Sequence, residues 1–142
     1  MSDRLPLFPE PCTKEELNQL GASALSFVGD SVQTLFVRTA LALECPNKIS
    51  ALHRQAAAVI NATSQSEAAK KIIPLLSEEE DAVFRRCRNS KTNTHAKNAT
   101  LIDYKIASGL EGLIGYLYML GRHERLAELL RLAYNNADKG NC

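Results

Sequence analysis

The stretch LIDYKIASGLEGLIGYLYML, residues 101–120, limits what this chain can fold into. Its apolar residues show no alternation of period two, so it reads as a helix, about 30 Å long at 1.5 Å per residue. The rest of the chain agrees. Residues 1–12 form a proline-rich arm, and Thr13-Lys-Glu-Glu16 matches a capping box that opens a short helix. An apolar helix is expected from about Ala22 to Leu43, stopping before a turn at Pro46-Asn47. Ser50 is expected to cap one long helix that continues to Pro74. Ser77-Glu-Glu-Glu80 is a second capping box, opening a helix to about Arg88. A polar loop, the 101–120 helix and an amphipathic helix over 122–136 complete the chain. The expectation is a single all-α domain over 13–136, with 137–142 as a tail.

Composition sets few further bounds. The chain has 142 residues, 45% apolar and 23% charged, with a net charge of +1. A polyanionic partner must therefore be argued from local clusters of charge. The four cysteines, Cys12, Cys45, Cys87 and Cys142, show no metal-ligand spacing, so reduced thiols are expected, with Cys87 packed in the core. The charged, proline-rich start lacks the apolar stretch of a signal peptide. No run approaches the roughly 20 apolar residues of a membrane span. A cytoplasmic protein without membrane attachment is the expectation.

Within residues 101–120 one carboxylate interrupts the apolar surface. Glu111 is the only charged residue between Lys105 and Arg122. Asp30 is its counterpart in LGASALSFVGDSVQTLFV, the only charge between Glu16 and Arg38. A lone ionised carboxylate in an apolar interior is costly unless it is paired or binds a cation. Two acids packed together would repel unless a divalent metal such as Mg2+ lay between them. Ser26 lies four residues before Asp30 and Ser108 three before Glu111, each near its acid on a helix. Gly109, Gly112 and Gly115 each cost about 1 kcal/mol relative to Ala in a helix, which suggests close approach of a backbone or a ligand. The plainer alternative is that each acid reaches solvent or pairs with an arginine from elsewhere.

RRCRNSKTNTHAKN, residues 85–98, is a second signal. Arg85, Arg86, Arg88, Lys91 and Lys97 carry positive charge, and no acid occurs from Ala82 to Thr100. Asn89, Asn93 and Asn98 add hydrogen-bonding groups suited to phosphate and ribose oxygens. A helix dipole explains the arginines at a helix end but not a basic bias that continues to Lys97. Only one tyrosine, Tyr104, lies close to the segment, which favours a duplex over stacking on unpaired bases. His53 and His123 have no ligand-spaced partners and read as surface or packing residues.

LSFVGDSVQTLFV resembles the signature segment of the ribonuclease III family, and LEGLIGYLY resembles its second acidic motif. The basic segment and GLEGLIGYLYMLGRHERLAELL are similar to the Mini-III subgroup, which consists of the catalytic domain alone. The resemblance spans about residues 20–134, and the chain's end after the last helix fits it. It implies a ribonuclease III catalytic-domain-like helical bundle and Mg2+-dependent hydrolysis of double-stranded RNA, with Mn2+ as a possible substitute. The products would carry 5′-phosphate and 3′-hydroxyl ends. Asp30 and Glu111 would be the metal-binding catalytic pair, with Ser26 and Ser108 reaching the metal through water. Arg85, Arg86, Arg88, Asn89, Lys91, Lys97 and Asn98 would contact RNA. The resemblance further implies a homodimer acting on precursor 23S rRNA, with a ribosomal protein as a possible presenter of the substrate. Full-length ribonuclease III enzymes carry acids where this chain has Ser26 and Ser108, and the subgroup often has Tyr-Glu in place of Gln33-Thr34. A non-catalytic RNA- or ribosome-binding protein of the same fold is the first alternative. A helical protein-binding adaptor is the second.

Overall fold

The computed structural model describes residues 10–45, 47–90 and 100–134. They form α1 (Lys14–Gln19), α2 (Ala22–Glu44), α3 (Ile49–Val59), α4 (Ala62–Ile72), a 3-10 turn (Ile73–Leu75), α5 (Glu78–Arg88), α6 (Leu101–Met119) and α7 (His123–Ala133). No strand occurs among the described residues, so the all-α expectation holds. None of their helices is long and apolar enough to cross a membrane.

Both capping boxes form. Thr13 and Glu16 exchange bonds of 3.0 and 3.1 Å, and Ser77 and Glu80 exchange bonds of 2.8 and 3.2 Å. The single helix expected from Ser50 to Pro74 is instead two. Ile60 leaves the helical region (φ −99°, ψ 74°), and Asn61 starts α4 by accepting from Ser64 N at 3.0 Å. The Asn61 amide also donates to the carbonyls of Ala57 and Ala58, both at 3.0 Å. A short amide that satisfies both helix ends outcompetes continuation through the alanine-rich run. Ser50 is not the cap either, because α3 begins at Ile49 after Lys48 with no side-chain capping bond.

The 101–120 stretch becomes the central helix. Leu110, Leu113 and Leu117 on α6 are no more than 1% exposed, and every residue from Gly112 to Leu117 is buried. Such a helix, apolar all round, must be enclosed; α2, α4, α5 and α7 enclose it. Gly121, at φ 79°, ends it: Gly121 N donates to Tyr118 O at 3.1 Å and Arg122 N to Leu117 O at 3.0 Å. These two bonds satisfy carbonyls of the last turn and require a left-handed residue that glycine supplies. A smaller cluster of Val37, Leu41, Cys45 and Ala56 joins the far half of α2 to α3. Cys87 is fully buried, as expected, and Cys12 and Cys87 are free thiols. Cys45 is disulfide-bonded, so the expectation of reduced thiols fails there.

An ion pair between buried Glu80 and half-buried Arg125 ties α5 to α7. Glu80 is 3% exposed and accepts from Arg125 Nε at 2.9 Å and Nη2 at 2.8 Å, while Nη2 also reaches Leu75 O at 2.9 Å. The Arg125 guanidinium holds the Glu80 carboxyl below its ordinary range, against the opposing effect of burial. Its contribution is therefore present at neutral pH and lost as pH falls through the lowered pKa. Replacing Arg125 by Ala leaves Glu80 without its partner and is expected to cost about 3 kcal/mol, measured by urea unfolding at pH 7.

Candidate active site

The site is built on a crossing of α2 and α6 in which glycines replace side chains. A Cβ on Gly29 would lie 2.6 Å from the main-chain carbonyl carbon of Glu111 and 2.9 Å from Gly115 N. A Cβ on Gly115 would lie 3.0 Å from Gly29 N. The two backbones therefore touch, and Asp30, the residue after Gly29, is brought beside Glu111. The three glycines singled out from sequence do mark close approach, but by protein rather than ligand. Gly115 meets the α2 backbone, Gly109 the Phe84 ring, with the nearest carbon 2.8 Å from its would-be Cβ, and Gly112 the Cys87 side chain. Gly29 has the same role and was missed, although a glycine within an apolar helix, next to its only acid, carries the same signal.

Asp30 is exposed, whereas Glu111 is half-buried. Burial, then a hydrogen bond with Asp30 and the charge of Asp30, push the Glu111 carboxyl up to about 8. The pair meets across the helix crossing, and neither acid forms an ion pair with a described arginine or lysine. The alternative of a structural arginine partner is therefore excluded among the described residues. Two facing carboxylates, one desolvated, form a donor set suited to a hard divalent cation that neutralises both. No third His, Cys, Asp or Glu joins them among the described residues. A divalent cation held by the two carboxylates would take its remaining ligands from water and substrate.

The folded protein holds the Glu111 proton more tightly than the unfolded chain, whose carboxyl titrates near 4.5. The proton-linked stability is complete below that value and is lost as pH rises through about 8. The metal-free protein is accordingly expected to melt at progressively lower temperature from about pH 5 upward. Glu111→Gln, which cannot ionise, should flatten this slope in a series of thermal scans.

Ser26 donates its hydroxyl hydrogen to the main-chain carbonyl of Ser108 at 3.0 Å, a cross-link one turn before each acid. The two serines are thus brought together, with the Ser26 proton committed to the helix contact. A turn beyond Asp30, Gln33 is fully buried, donates to the Tyr134 hydroxyl, and accepts from Gln65 Nε2 at 3.4 Å. Gln33 was noted from sequence only as a departure from the family pattern. Its place within the buried stripe Leu25, Gly29, Gln33, Val37 and Leu41 was the available signal.

The basic segment divides. Arg85 and Arg86 are exposed and Arg88 is half-buried. Arg85 pairs with Asp81 at 2.8 Å, an acid just outside the acid-free window, so its charge is largely neutralised. Arg86 donates to the Leu20 carbonyl, which leaves its charge unbalanced. Arg88 sits over the Phe84 ring at 6.0 Å and donates to Asn89 Oδ1 at 3.1 Å. Lys91, Lys97 and Asn98 lie outside the described residues.

An all-α bundle that brings together a carboxylate from each of two crossing helices, neither in an ion pair with a described arginine or lysine, fits a metal-dependent nuclease. Residues 23–122 match the Ribonuclease III domain family. The chain is 42% identical to the Mini-ribonuclease 3 of Clostridium tetani, over 89% of this chain and 84% of that one. It is 40% identical to the Mini-ribonuclease 3 of Thermoanaerobacter sp., over 87% of each chain. A crystal structure of a protein from Fusobacterium nucleatum superposes with a TM-score of 0.76 at 29% identity, covering 89% of this chain and 98% of that one. The chain belongs to the ribonuclease III family, within its Mini-ribonuclease 3 branch, and is an endoribonuclease.

Proposed function

We propose that the protein cleaves double-stranded RNA with Mg2+, or Mn2+ in its place, held by Asp30 and Glu111. The observation that carries this reading is the facing carboxyl pair, which is electrostatically unfavourable when both members are ionised and becomes favourable once a divalent cation binds. When bound, the metal supplies a polarised phosphate, a water of lowered pKa and charge stabilisation at the leaving 3′-oxygen. Glu111 gives up its proton on metal binding, so affinity rises with pH. Neither acid acts as the nucleophile. Ser108, beside Glu111, and Ser26 hold water at the edge of the pair. Arg86, Arg88 and Asn89, continued by Lys91, Lys97 and Asn98, bind phosphates and 2′-hydroxyls along the duplex.

The reading extends by family resemblance to a two-fold dimer that cuts both strands. Phe27 and Leu35 on α2, 79% and 54% exposed, support such a pairing. The substrate is assigned on the same ground to the ends of precursor 23S rRNA in the cytoplasm, presented with a ribosomal protein.

The test incubates duplex RNA with the protein in Mg2+ or in chelator. Cleavage that persists in chelator would sink the metal assignment, and absence of cleavage with either metal would favour the non-catalytic alternative. Phosphate contacts predict an RNA affinity that falls steeply with salt. Arg86→Ala and Arg88→Ala should flatten that slope, whereas Arg85→Ala should change it less because Asp81 already balances its charge. Slopes unchanged from wild type for all three in filter-binding measurements would remove this segment from the RNA surface.

A further inference from the structure

Gly29 and Gly115 fix how close α2 and α6 come, but two smooth backbones in contact do not fix how α2 is rotated about its own axis. Interlocking side chains usually set that angle, and the Gly29–Gly115 contact itself has none, while Leu25 and Val37 anchor α2 in separate clusters on either side of it. Rotation matters because a carboxylate rides about 5 Å from its helix axis, so a turn of roughly 20° moves it by about 2 Å. Metal coordination tolerates shifts of only about 0.2 Å.

We propose that Ser26 and Gln33, flanking the glycine contact on either side, set the rotation of α2 and so the position of Asp30 against Glu111. Both are positioning residues. Ser26 pins one side through its 3.0 Å bond to the Ser108 carbonyl of α6. Gln33 pins the other through Tyr134, just beyond α7, and Gln65 of α4. Gln33 is 0% exposed and Gln65 6% exposed, so their amides have few other partners, and a rotation that broke these bonds would strand them without water. Gln33 also lies at the seam between the main core, to which Leu25 belongs, and the smaller cluster that begins at Val37. An amide at that seam defines one angular setting, where an apolar side chain would accept several. The inference rests on Asp30 and Glu111 holding a divalent cation.

Mn2+ is titrated onto the metal-free full chain, with free Mn2+ followed by electron paramagnetic resonance well below the melting temperature. Wild type is compared with Asp30→Asn, Ser26→Ala, Gln33→Met and Tyr134→Phe. Tyr134→Phe removes only a hydroxyl and carries the test if Gln33→Met does not fold. Loss of binding in Asp30→Asn is expected, with binding about tenfold weaker in Ser26→Ala and Gln33→Met and several-fold weaker in Tyr134→Phe. The double variant Gln33→Met/Tyr134→Phe should bind no more weakly than Gln33→Met alone. Wild-type affinity in Gln33→Met and Tyr134→Phe, whatever their melting temperatures, would show purely structural bonds and overturn the inference. Weakening confined to Ser26→Ala would leave Gln33 with no positioning role and overturn it too. Unchanged Mn2+ binding in Asp30→Asn would instead remove the metal site itself, and the inference with it.

Discussion

Asp30→Asn and Glu111→Gln are each expected to lower the rate of duplex RNA cleavage by more than about a hundredfold while leaving RNA binding nearly unchanged. Loss of an outer partner of a metal ligand commonly costs about ten- to a hundredfold, and each of these changes removes one of only two carboxylates at the proposed site. Neither substitution alters side-chain volume much, and Glu111→Gln relieves the burial that pushes its carboxyl up to about 8. The inactive proteins should therefore be at least as stable as wild type at pH 8. Single-turnover cleavage, duplex binding and thermal melting on the same preparations decide the matter. A variant that cleaves at the wild-type rate removes its residue from catalysis. One that is slow but also melts early shows only damage to the fold.

Gly29→Ala is expected to be the most destabilising glycine-to-alanine change among the described residues. The new Cβ would lie 2.6 Å from the Glu111 carbonyl carbon and 2.9 Å from Gly115 N, both main-chain atoms that cannot swing aside. The helices must separate, and α2 and α6 would lose their contact beside the carboxyl pair. Overpacking in a core costs about 1–3 kcal/mol, and a clash of two backbones belongs at or above the upper end. Gly21→Ala is the control, since its Cβ would meet nothing within 4 Å. Chemical unfolding of both variants should show a large loss for the first and almost none for the second. Equal stabilities would contradict the close crossing.

Much of this was legible because it depends on local chemistry. The capping boxes at Thr13 and Ser77 satisfy groups only three residues away, and both formed. The isolation of Asp30 and Glu111 in apolar helices was visible, but not that Asp30 would reach solvent while Glu111 would be half-buried against it. What stayed hidden depends on distant contacts or on close competition. Asn61 divided an alanine-rich helix because its amide could serve two ends at once, a choice of small free energy that helix propensity does not settle. Asp81 lies one residue outside the acid-free window, yet helical spacing carries it to Arg85. Gln33 looked like a departure from a pattern, because Gln65 and Tyr134 become its partners only after folding.

The glycine crossing also has a consequence for how such an enzyme can be altered. The acids proposed to hold the metal ride on the two helices that hold the domain together, whereas loop-borne sites leave the framework free to vary. Gly29 touches the main chain of Glu111 itself, so substitutions aimed at the chemistry act on the framework as well. The end of α5 is different: Arg86 and Asn89 are exposed there. A laboratory selection for altered substrate preference should therefore accumulate its changes in the basic segment and leave the crossing untouched.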